Sequence, residues 1–114
     1  MSEENQLPED DQFYERADEF ISLANKQCNS VSESEFETQA AKVSASFMYA
    51  NARFSTWLTA CGYSNADDMR NNKELILQYF LDQYKMMLED NFEEYASNFE
   101  EYMNVEAEEV KRFV

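Results

Sequence analysis

Residues 75–88 read LILQYFLDQYKMML, and a helix built from them would be apolar on nearly every side. Such a helix is normally covered by its neighbours on several sides. The whole chain contains one glycine and one proline, whereas sheets and long loops depend on turn residues of these kinds. We therefore predict an all-α fold in which this stretch belongs to a packed helix.

Two helices are predicted before this stretch. Apolar residues at steps of one, three or four predict a first helix over about residues 10–29; they are Phe13, Ala17, Phe20, Ile21, Ala24 and Cys28. Ser32 and Glu35 have the spacing of a capping box, in which each side chain bonds a backbone N–H at the helix start. A second helix is therefore predicted over residues 33–61, with Gly62 as a left-handed cap.

The third predicted helix contains the opening stretch. Ser64 and Asp67 repeat the capping-box spacing, so the helix begins near residue 65. No glycine or proline follows Gly62, and nothing in the sequence obliges the helix to end before residue 103. Its weakest point is the pair Asn71 and Asn72, where we expect any kink.

These helices are expected to form one domain. Residues 1–9 form an acidic segment that is predicted to be disordered, and residues 105–114 form a short helix or a tail. Residues 10–104 make up a single helical domain, for which short connections favour a three-helix up-down-up bundle. The third helix is longer than the other two, so it extends beyond the bundle from about Phe92 onward.

The extension has a duplicated sequence. Residues 91–104 read NFEEYASNFEEYMN, and the aromatic residues follow the a/d spacing of a coiled coil; they are Phe92, Tyr95, Phe99 and Tyr102. Soluble monomers seldom expose such an apolar strip. The strip is therefore covered by its own domain, by a second copy of the chain or by another protein, and these three alternatives stay open.

Composition excludes several function classes. The chain has no histidine, which removes the usual general base and the imidazole ligands of zinc and di-iron sites. We expect no catalytic residue, no metal and no cofactor. The formal net charge is -15, with nine scattered basic residues, so we expect no binding to nucleic acid or to anionic membranes.

Location and cysteine state follow from simple patterns. Residues 1–12 lack the basic and apolar regions of a signal peptide, and no apolar run is long enough to span a bilayer. We therefore expect a cytoplasmic protein.

Cys28 and Cys61 would lie near opposite ends of the second helix, too far apart for a disulfide. Both are expected to be small, buried, apolar residues with free thiols.

A polar pocket is a further possibility on the second helix. Arg53 has Tyr49, Asn51 and Trp57 nearby in the sequence, and a buried arginine must be paired with a carboxylate such as Asp18. The plainer reading is a central helix that is contacted on several sides. The sharper reading is a small-ligand binder or an enzyme that uses these four residues.

Two binding functions compete with that reading. The leading hypothesis is a non-enzymatic helical interaction protein that forms a homodimer or a higher oligomer, or binds a protein partner, through the aromatic strip. The alternative is an acidic regulator that docks on a basic protein surface as a nucleic-acid mimic. Its support is a run of nine acids and no bases from Glu89 to Glu109.

Two stretches of the sequence also resemble a known family. FYERADEFISLANKQ, residues 13–27, and VSASFMYANARFSTWLTA, residues 43–60, are similar to small acidic proteobacterial proteins known as a domain of unknown function. The resemblance covers roughly residues 12–95. It implies a small helical protein of bacterial, cytosolic origin and no activity, substrate or catalytic residue. The NFEEY duplication has no place in the family pattern.

Overall fold

The computed structural model describes residues 10–103 and Val110, and within these residues it contains helices and no strands. Five α-helices follow one another within these described residues. They are α1 (Phe13–Cys28), α2 (Phe36–Ala60), α3 (Ala66–Asn71), α4 (Lys73–Ser97) and α5 (Phe99–Met103), and a 3₁₀ turn at Glu33–Glu35 precedes α2. The all-α prediction is therefore confirmed.

The chain divides into two compact units. The first comprises Met1–Ser44 together with Glu108–Val114, and the second comprises Ala45–Ala107. The boundary falls within α2, so the first turns of this helix belong to the first unit and the remainder to the second.

Asp10 fixes the start of α1 in the first unit. The N–H of Phe13 donates to the Asp10 carbonyl at 3.2 Å, and the N–H of Gln12 donates to the Asp10 carboxylate at 3.2 Å. Both terminal nitrogens of the Arg16 guanidinium bond the same carboxylate, at 3.0 and 3.2 Å. The hydrogen bonds from Arg16 lower the pKa of Asp10 below its ordinary value. Because Asp10 satisfies the N–H groups that precede the helix, α1 begins at Phe13 and not at residue 10.

The predicted stripe of α1 is half-buried at its aliphatic residues and its cysteine, and exposed at its aromatic rings. Ala17, Ile21, Ala24 and Cys28 are half-buried, whereas Phe13 and Phe20 are exposed. The two buried residues of the helix are polar, Asp18 and Asn25. The packed side of α1 is therefore partly polar, which the apolar periodicity did not indicate.

The predicted capping box at Ser32 takes another form. The Ser32 hydroxyl donates to the Glu35 carboxylate at 2.9 Å, and the Ser32 side chain bonds no backbone N–H of the turn that follows. The Gln39 amide donates to the Gln27 carbonyl at 3.3 Å and thereby ties the start of α2 to the end of α1. These side-chain bonds and the backbone bond from the Glu35 N–H to the Ser32 carbonyl, at 3.0 Å, hold this connection.

The end of α2, in the second unit, differs from the prediction at Gly62. No described glycine has a positive φ, so Gly62 does not form a left-handed cap. Its N–H donates to the Thr59 carbonyl at 3.0 Å, and the N–H of Tyr63 donates to the Ala60 carbonyl at 3.1 Å. These short-range bonds close the last turn in place of the left-handed cap. The Cys61 side chain is exposed and its thiol is free, so the prediction of a buried cysteine is wrong there.

Asn65, and not Ser64, caps the next helix. The side-chain Oδ1 of Asn65 accepts from the N–H of Asp68 at 2.9 Å, and the side-chain Nδ2 of Asn65 donates to the Asp68 carboxylate at 3.2 Å. Half of the predicted capping box is therefore present one residue later: the Asn65 side chain caps a backbone N–H, whereas the Asp68 carboxylate bonds the Asn65 side chain.

Asparagines also interrupt the predicted third helix twice. α3 ends at Asn71, and Asn72 adopts φ -104° and ψ 10° before α4 begins. Asn98 adopts φ -119° and ψ 33° between α4 and α5. The Nδ2 of each asparagine donates to a carbonyl four residues earlier, at 2.9 Å in both cases. An amide that bonds the local backbone in this way competes with the helix, and the predicted single helix is three successive helices as a result.

No hydrophobic residue among residues 10–103 and Val110 is fully buried. The opening stretch is part of α4, where Leu75 is 76% exposed and Leu81 is 64% exposed. The composition of this stretch predicts that neighbouring helices cover it on several sides. The second unit does not supply this cover. No helix within the described part of the chain combines the length and the apolar character needed to cross a bilayer.

The Asn65 cap provides a test of the local structure. Asn65→Ala removes the acceptor of the Asp68 N–H, and we expect it to lower the free energy of unfolding by about 1 kcal/mol. Ser64→Ala is the matched control and should change the free energy by less than about 0.5 kcal/mol. Urea unfolding followed by circular dichroism measures both. Equal losses in the two variants would contradict the cap assignment.

Candidate interaction surface

The predicted aromatic strip lies on two helices of the second unit. Phe92 and Tyr95 belong to the last turns of α4, and Phe99 and Tyr102 belong to α5. Asn98 separates the two pairs. The strip is therefore not a straight coiled-coil seam, and its four members have different environments.

The break at Asn98 is held by hydrogen bonds to one carbonyl. Both the backbone N–H of Asn98 and its side-chain Nδ2 donate to the carbonyl of Glu94, at 3.1 and 2.9 Å. The Asn98 carbonyl in turn accepts from the N–H of Tyr102 at 3.0 Å. The end of α4 and the start of α5 thus share a hydrogen-bonded junction, and α5 is a fixed continuation of the chain.

The two tyrosines of the strip pack on each other across this junction. The ring centroids of Tyr95 and Tyr102 are 4.8 Å apart at an interplanar angle of 78°, an edge-to-face pair. The Tyr102 hydroxyl donates to the Glu94 carboxylate at 2.6 Å. This hydrogen bond is the main reason that the pKa of Tyr102 rises to about 12, because the bond requires the protonated phenol. The two tyrosines of the predicted strip therefore have their contacts within their own unit.

The two phenylalanines remain exposed. Phe92 is 73% exposed and Phe99 is 61% exposed. Phenylalanine has no polar atom to offer to water, so both rings are free to contribute hydrophobic contact with another surface. The structure separates the predicted strip into an internal tyrosine pair and an exposed phenylalanine pair.

A longer apolar surface continues from Phe92 toward the start of α4. At 3.6 residues per turn, its members fall within roughly 80° of one another around the helix; they are Leu77, Leu81, Tyr84, Leu88 and Phe92. All five are exposed. We call these five residues the α4 face. Its length is about 22 Å at 1.5 Å per residue.

The α4 face is distinct from the side of α4 that is partly covered. Ile76, Phe80 and Gln83 lie on an adjacent side of the helix and are half-buried. Leu75 is exposed on roughly the opposite side from the α4 face. Sequence reasoning missed the α4 face because residues 75–88 are apolar nearly all round, which hides any one stripe. The steps of four, three, four and four from Leu77 to Phe92 were its available signal.

Acidic side chains surround the phenylalanine pair. Each ring is followed directly by two glutamates, Glu93 and Glu94 after Phe92 and Glu100 and Glu101 after Phe99. Glu93 accepts from the Ser97 hydroxyl at 2.9 Å, and Glu94 accepts from Tyr102. Any surface that covers the phenylalanines must tolerate this negative charge.

The residues of the predicted polar pocket lie along α2, within the second unit. Tyr49, Asn51, Arg53 and Trp57 are all exposed. Asn51 accepts from the Ser55 hydroxyl at 3.4 Å, and the Trp57 ring lies 5.5 Å from that of Phe54. No ion pair of Arg53 with another described residue of this unit is present. A pocket at these residues stays a prediction.

Two other kinds of site receive no support from the described residues. No group of three or more cysteine, aspartate or glutamate side chains is arranged to hold a metal ion within residues 10–103 and Val110. A shallow depression of about 360 Å³ lies at the connection between α1 and α2, beside Val31 and Phe36. Two glutamates, Glu33 and Glu37, also line it, and no base among its lining residues would favour an anionic ligand.

Tyr102 allows the junction to be tested in solution. The phenolate absorbance of the wild type minus that of Tyr102→Phe should give one titration step with a midpoint near pH 12. Glu94→Gln removes the charged acceptor and should move this step to lower pH. Because the folded pKa is raised, the contribution of this bond to stability is complete below the ordinary tyrosine pKa of about 10 and is lost as pH rises toward about 12. A step near pH 10 in the wild type would contradict the Tyr102–Glu94 bond.

Comparison with known proteins places this geometry in a family. No protein of curated function matches the sequence. The fold is similar to that of the protein NB7890A from Shewanella sp., known from an NMR structure, with 38% sequence identity and a TM-score of 0.66. The match covers 86% of this chain and 97% of the other. The family model described as a protein of unknown function, DUF3144, matches residues 13–96, which include α1, α2, α3 and nearly all of α4, so the chain belongs to the DUF3144 family.

Proposed function

We propose that the protein is a non-enzymatic helical interaction protein that self-associates through the α4 face and the adjoining Phe99. The observation that carries this proposal is the exposure of the whole face on one rigid helix, while Ile76 and Phe80 on the neighbouring side are half-buried. An exposed apolar patch of this length is characteristic of an interface.

A second copy is the occupant that best fits the face. Burying one large apolar side chain stabilises a complex by about 1.5–3 kcal/mol. Burying six such side chains on each copy releases more free energy than association costs, which is about 4–15 kcal/mol. A symmetric dimer brings the same face of both copies together, so the face needs only to be complementary to itself. Leucines and aromatic rings along one straight stripe meet this condition.

The charge of the protein gives the proposal a distinctive salt dependence. Two copies with a formal net charge of -15 each repel one another. Salt screens this repulsion, so self-association should become stronger as ionic strength rises. Docking on a basic surface would respond in the opposite direction, because salt weakens attraction between opposite charges. The sign of the salt effect thus separates the two functions.

The same proposal includes the arrangement of the helices, the location of the protein and the state of its cysteines, as the sequence predicts them. Short connections, residues 29–35 and 61–65, support an up-down-up arrangement of the helices. The proposal places the assembly in the bacterial cytoplasm, a reducing compartment in which Cys28 and Cys61 stay as free thiols. Ligand binding or catalysis at Arg53 is the competing function, and no observation on α2 favours it.

Matched leucine variants on α4 test the proposal. Leu81→Ala removes apolar surface from the α4 face of both copies, and we expect it to weaken dimerisation by at least about 100-fold. Leu75→Ala is the control, since Leu75 is also exposed but lies on the other side of the helix. Sedimentation equilibrium at low and high salt measures the dissociation constants of both variants and of the wild type.

Three results would contradict the proposal. A wild type that stays monomeric at every concentration and salt would remove self-association. Equal weakening by Leu81→Ala and Leu75→Ala would remove the α4 face as the interface. Association that becomes weaker with added salt would favour contacts between opposite charges over an apolar interface.

A further inference from the structure

The charge of α4 is distributed unevenly along the helix. Residues 73–85 contain two acids and two bases and have no net charge, whereas residues 86–97 contain four acids and no base. Two further acids, Glu100 and Glu101, follow in α5. The α4 face therefore extends from a neutral end near Leu77 to a strongly negative end near Phe92.

Most of this negative charge is not neutralised among the described residues. Glu89 forms an ion pair with Lys85. Glu93 and Glu94 accept hydrogen bonds from the neutral hydroxyls of Ser97 and Tyr102, which leave the carboxylate charges in place. Within residues 10–103 and Val110, no other acid from position 89 to position 101 forms an ion pair.

The backbone dipole of α4 adds to the imbalance. A helix has a partial positive charge at its N-terminus and a partial negative charge at its C-terminus, and acids are disfavoured near the negative end. Glu93 and Glu94 lie among the last five residues of α4. A second helix that runs in the opposite direction would bring its positive end close to these two acids and stabilise them.

Lys73 is an exposed base beside the α4 face. At 3.6 residues per turn, it lies about 20° outside the edge of the face that Tyr84 forms. It forms no ion pair with another described residue. Glu94 lies on the same flank of the helix but about 32 Å away along the axis, so Lys73 and Glu94 cannot meet within one copy.

The α4 face reads nearly the same in both directions. Tyr84 lies at its centre, Leu81 and Leu88 come next on either side, and Leu77 and Phe92 lie at the ends. In two helices that run in opposite directions about a twofold axis near Tyr84, Leu77 lies opposite Phe92 and Leu81 lies opposite Leu88. A symmetric interface of this kind is filled by apolar side chains over its whole length.

We infer that two copies associate with their α4 helices antiparallel, so that Tyr84 of each copy lies near the twofold axis and Lys73 of each copy lies beside Glu94 of the other. The inference rests on the proposed self-association through the α4 face and specifies its direction. In the antiparallel arrangement, each acidic end faces the neutral end of the other copy. A parallel arrangement would place four acids against four, and like charges at close range repel.

The twofold axis also brings the right flanks together. In an antiparallel pair, the flank with Lys73 meets the same flank of the second copy, which contains Glu94. An axis at Tyr84 places the two residues within about one residue of each other in level, or about 1.5 Å along the axis. The pair forms twice in each dimer.

Spin labels on the far side of α4 distinguish the two directions. Leu75 and Met86 are both exposed and lie on the side of the helix away from the α4 face. Leu75→Cys and Met86→Cys are labelled separately in a chain that also contains Cys28→Ala and Cys61→Ala. Pulsed electron paramagnetic resonance then measures the distance between the labels of the two copies.

The antiparallel arrangement predicts different distances at the two positions. The two labels differ in level by about 27 Å at position 75 and by about 6 Å at position 86. The measured distance should therefore be about 10 Å longer for Leu75→Cys than for Met86→Cys. In a parallel dimer the labels lie at the same level at both positions.

The outcomes separate this inference from the proposed function. Equal distances at the two positions would overturn the antiparallel arrangement and leave self-association in place. No dipolar coupling, together with a monomeric unlabelled wild type in sedimentation equilibrium, would overturn self-association itself. Labelled chains that are monomeric while the wild type is dimeric would place the interface on the far side of α4 and overturn both.

Reversal of the charge at Lys73 tests the ion pair independently. Because the pair forms twice in each dimer, Lys73→Glu should weaken dimerisation about tenfold. Lys42→Glu makes the same change in net charge at an exposed position of the first unit, and it should weaken dimerisation by less than about threefold. Equal weakening by the two variants would remove the contact between Lys73 and Glu94 from the interface.

Discussion

The exposed apolar side of α4 is the constraint that any explanation of the stability of this protein must meet. Hydrophobic burial is the dominant favourable contribution to folding, yet Leu77, Leu81, Tyr84, Leu88 and Phe92 are all exposed on one side of a long helix. α1 and the start of α2 are joined by a hydrogen bond from the Gln39 amide to the Gln27 carbonyl. No apolar residue is fully buried among residues 10–103 and Val110, so packing among these residues contributes little stabilisation. Cover for the α4 face is therefore the largest stabilisation still open to the protein.

Asparagine takes the place of glycine and proline in this chain. With one residue of each of those types, the helix boundaries are set by Asn65, Asn72 and Asn98. Asn65 caps α3 with its side-chain oxygen, and the other two direct an amide to a carbonyl one turn back. Asn25 uses the same chemistry over a long sequence distance, where its side chain bonds both the N–H and the carbonyl of Val110. One residue type thus ends helices locally and binds a distant segment.

Much of the architecture could be predicted from the sequence, because its signals are local. The all-α class follows from the scarcity of glycine and proline, and the start of the helix near residue 65 was predicted with an error of one position in its capping residue. The division of the third helix was only partly foreseen. Asn71 and Asn72 were identified as its weak point, whereas Asn98 lies inside the NFEEY duplication and is hidden by the heptad spacing around it.

Other features could not be predicted because they depend on tertiary contacts. Apolar periodicity assigns Phe13 and Phe20 to the packed side of α1, but both rings are exposed, and two buried polar residues lie on the packed side with half-buried aliphatic ones. The role of Asn25 requires Val110, which no helical pattern connects to it. The split of the aromatic strip arises from the junction at Asn98, which turns Tyr102 toward Tyr95 and Glu94. Spacing alone cannot distinguish an internal tyrosine pair from an exposed phenylalanine pair.

The central claim is that α4 is stabilised by a second copy of the chain. Amide hydrogen exchange across residues 77–92, measured at several protein concentrations, tests it most directly. If the α4 face is an interface, protection of these amides should rise with protein concentration and rise further with added salt, because binding of a partner stabilises the folded state by mass action. Protection that is the same at every concentration would contradict the claim and show that α4 owes its stability to its own chain.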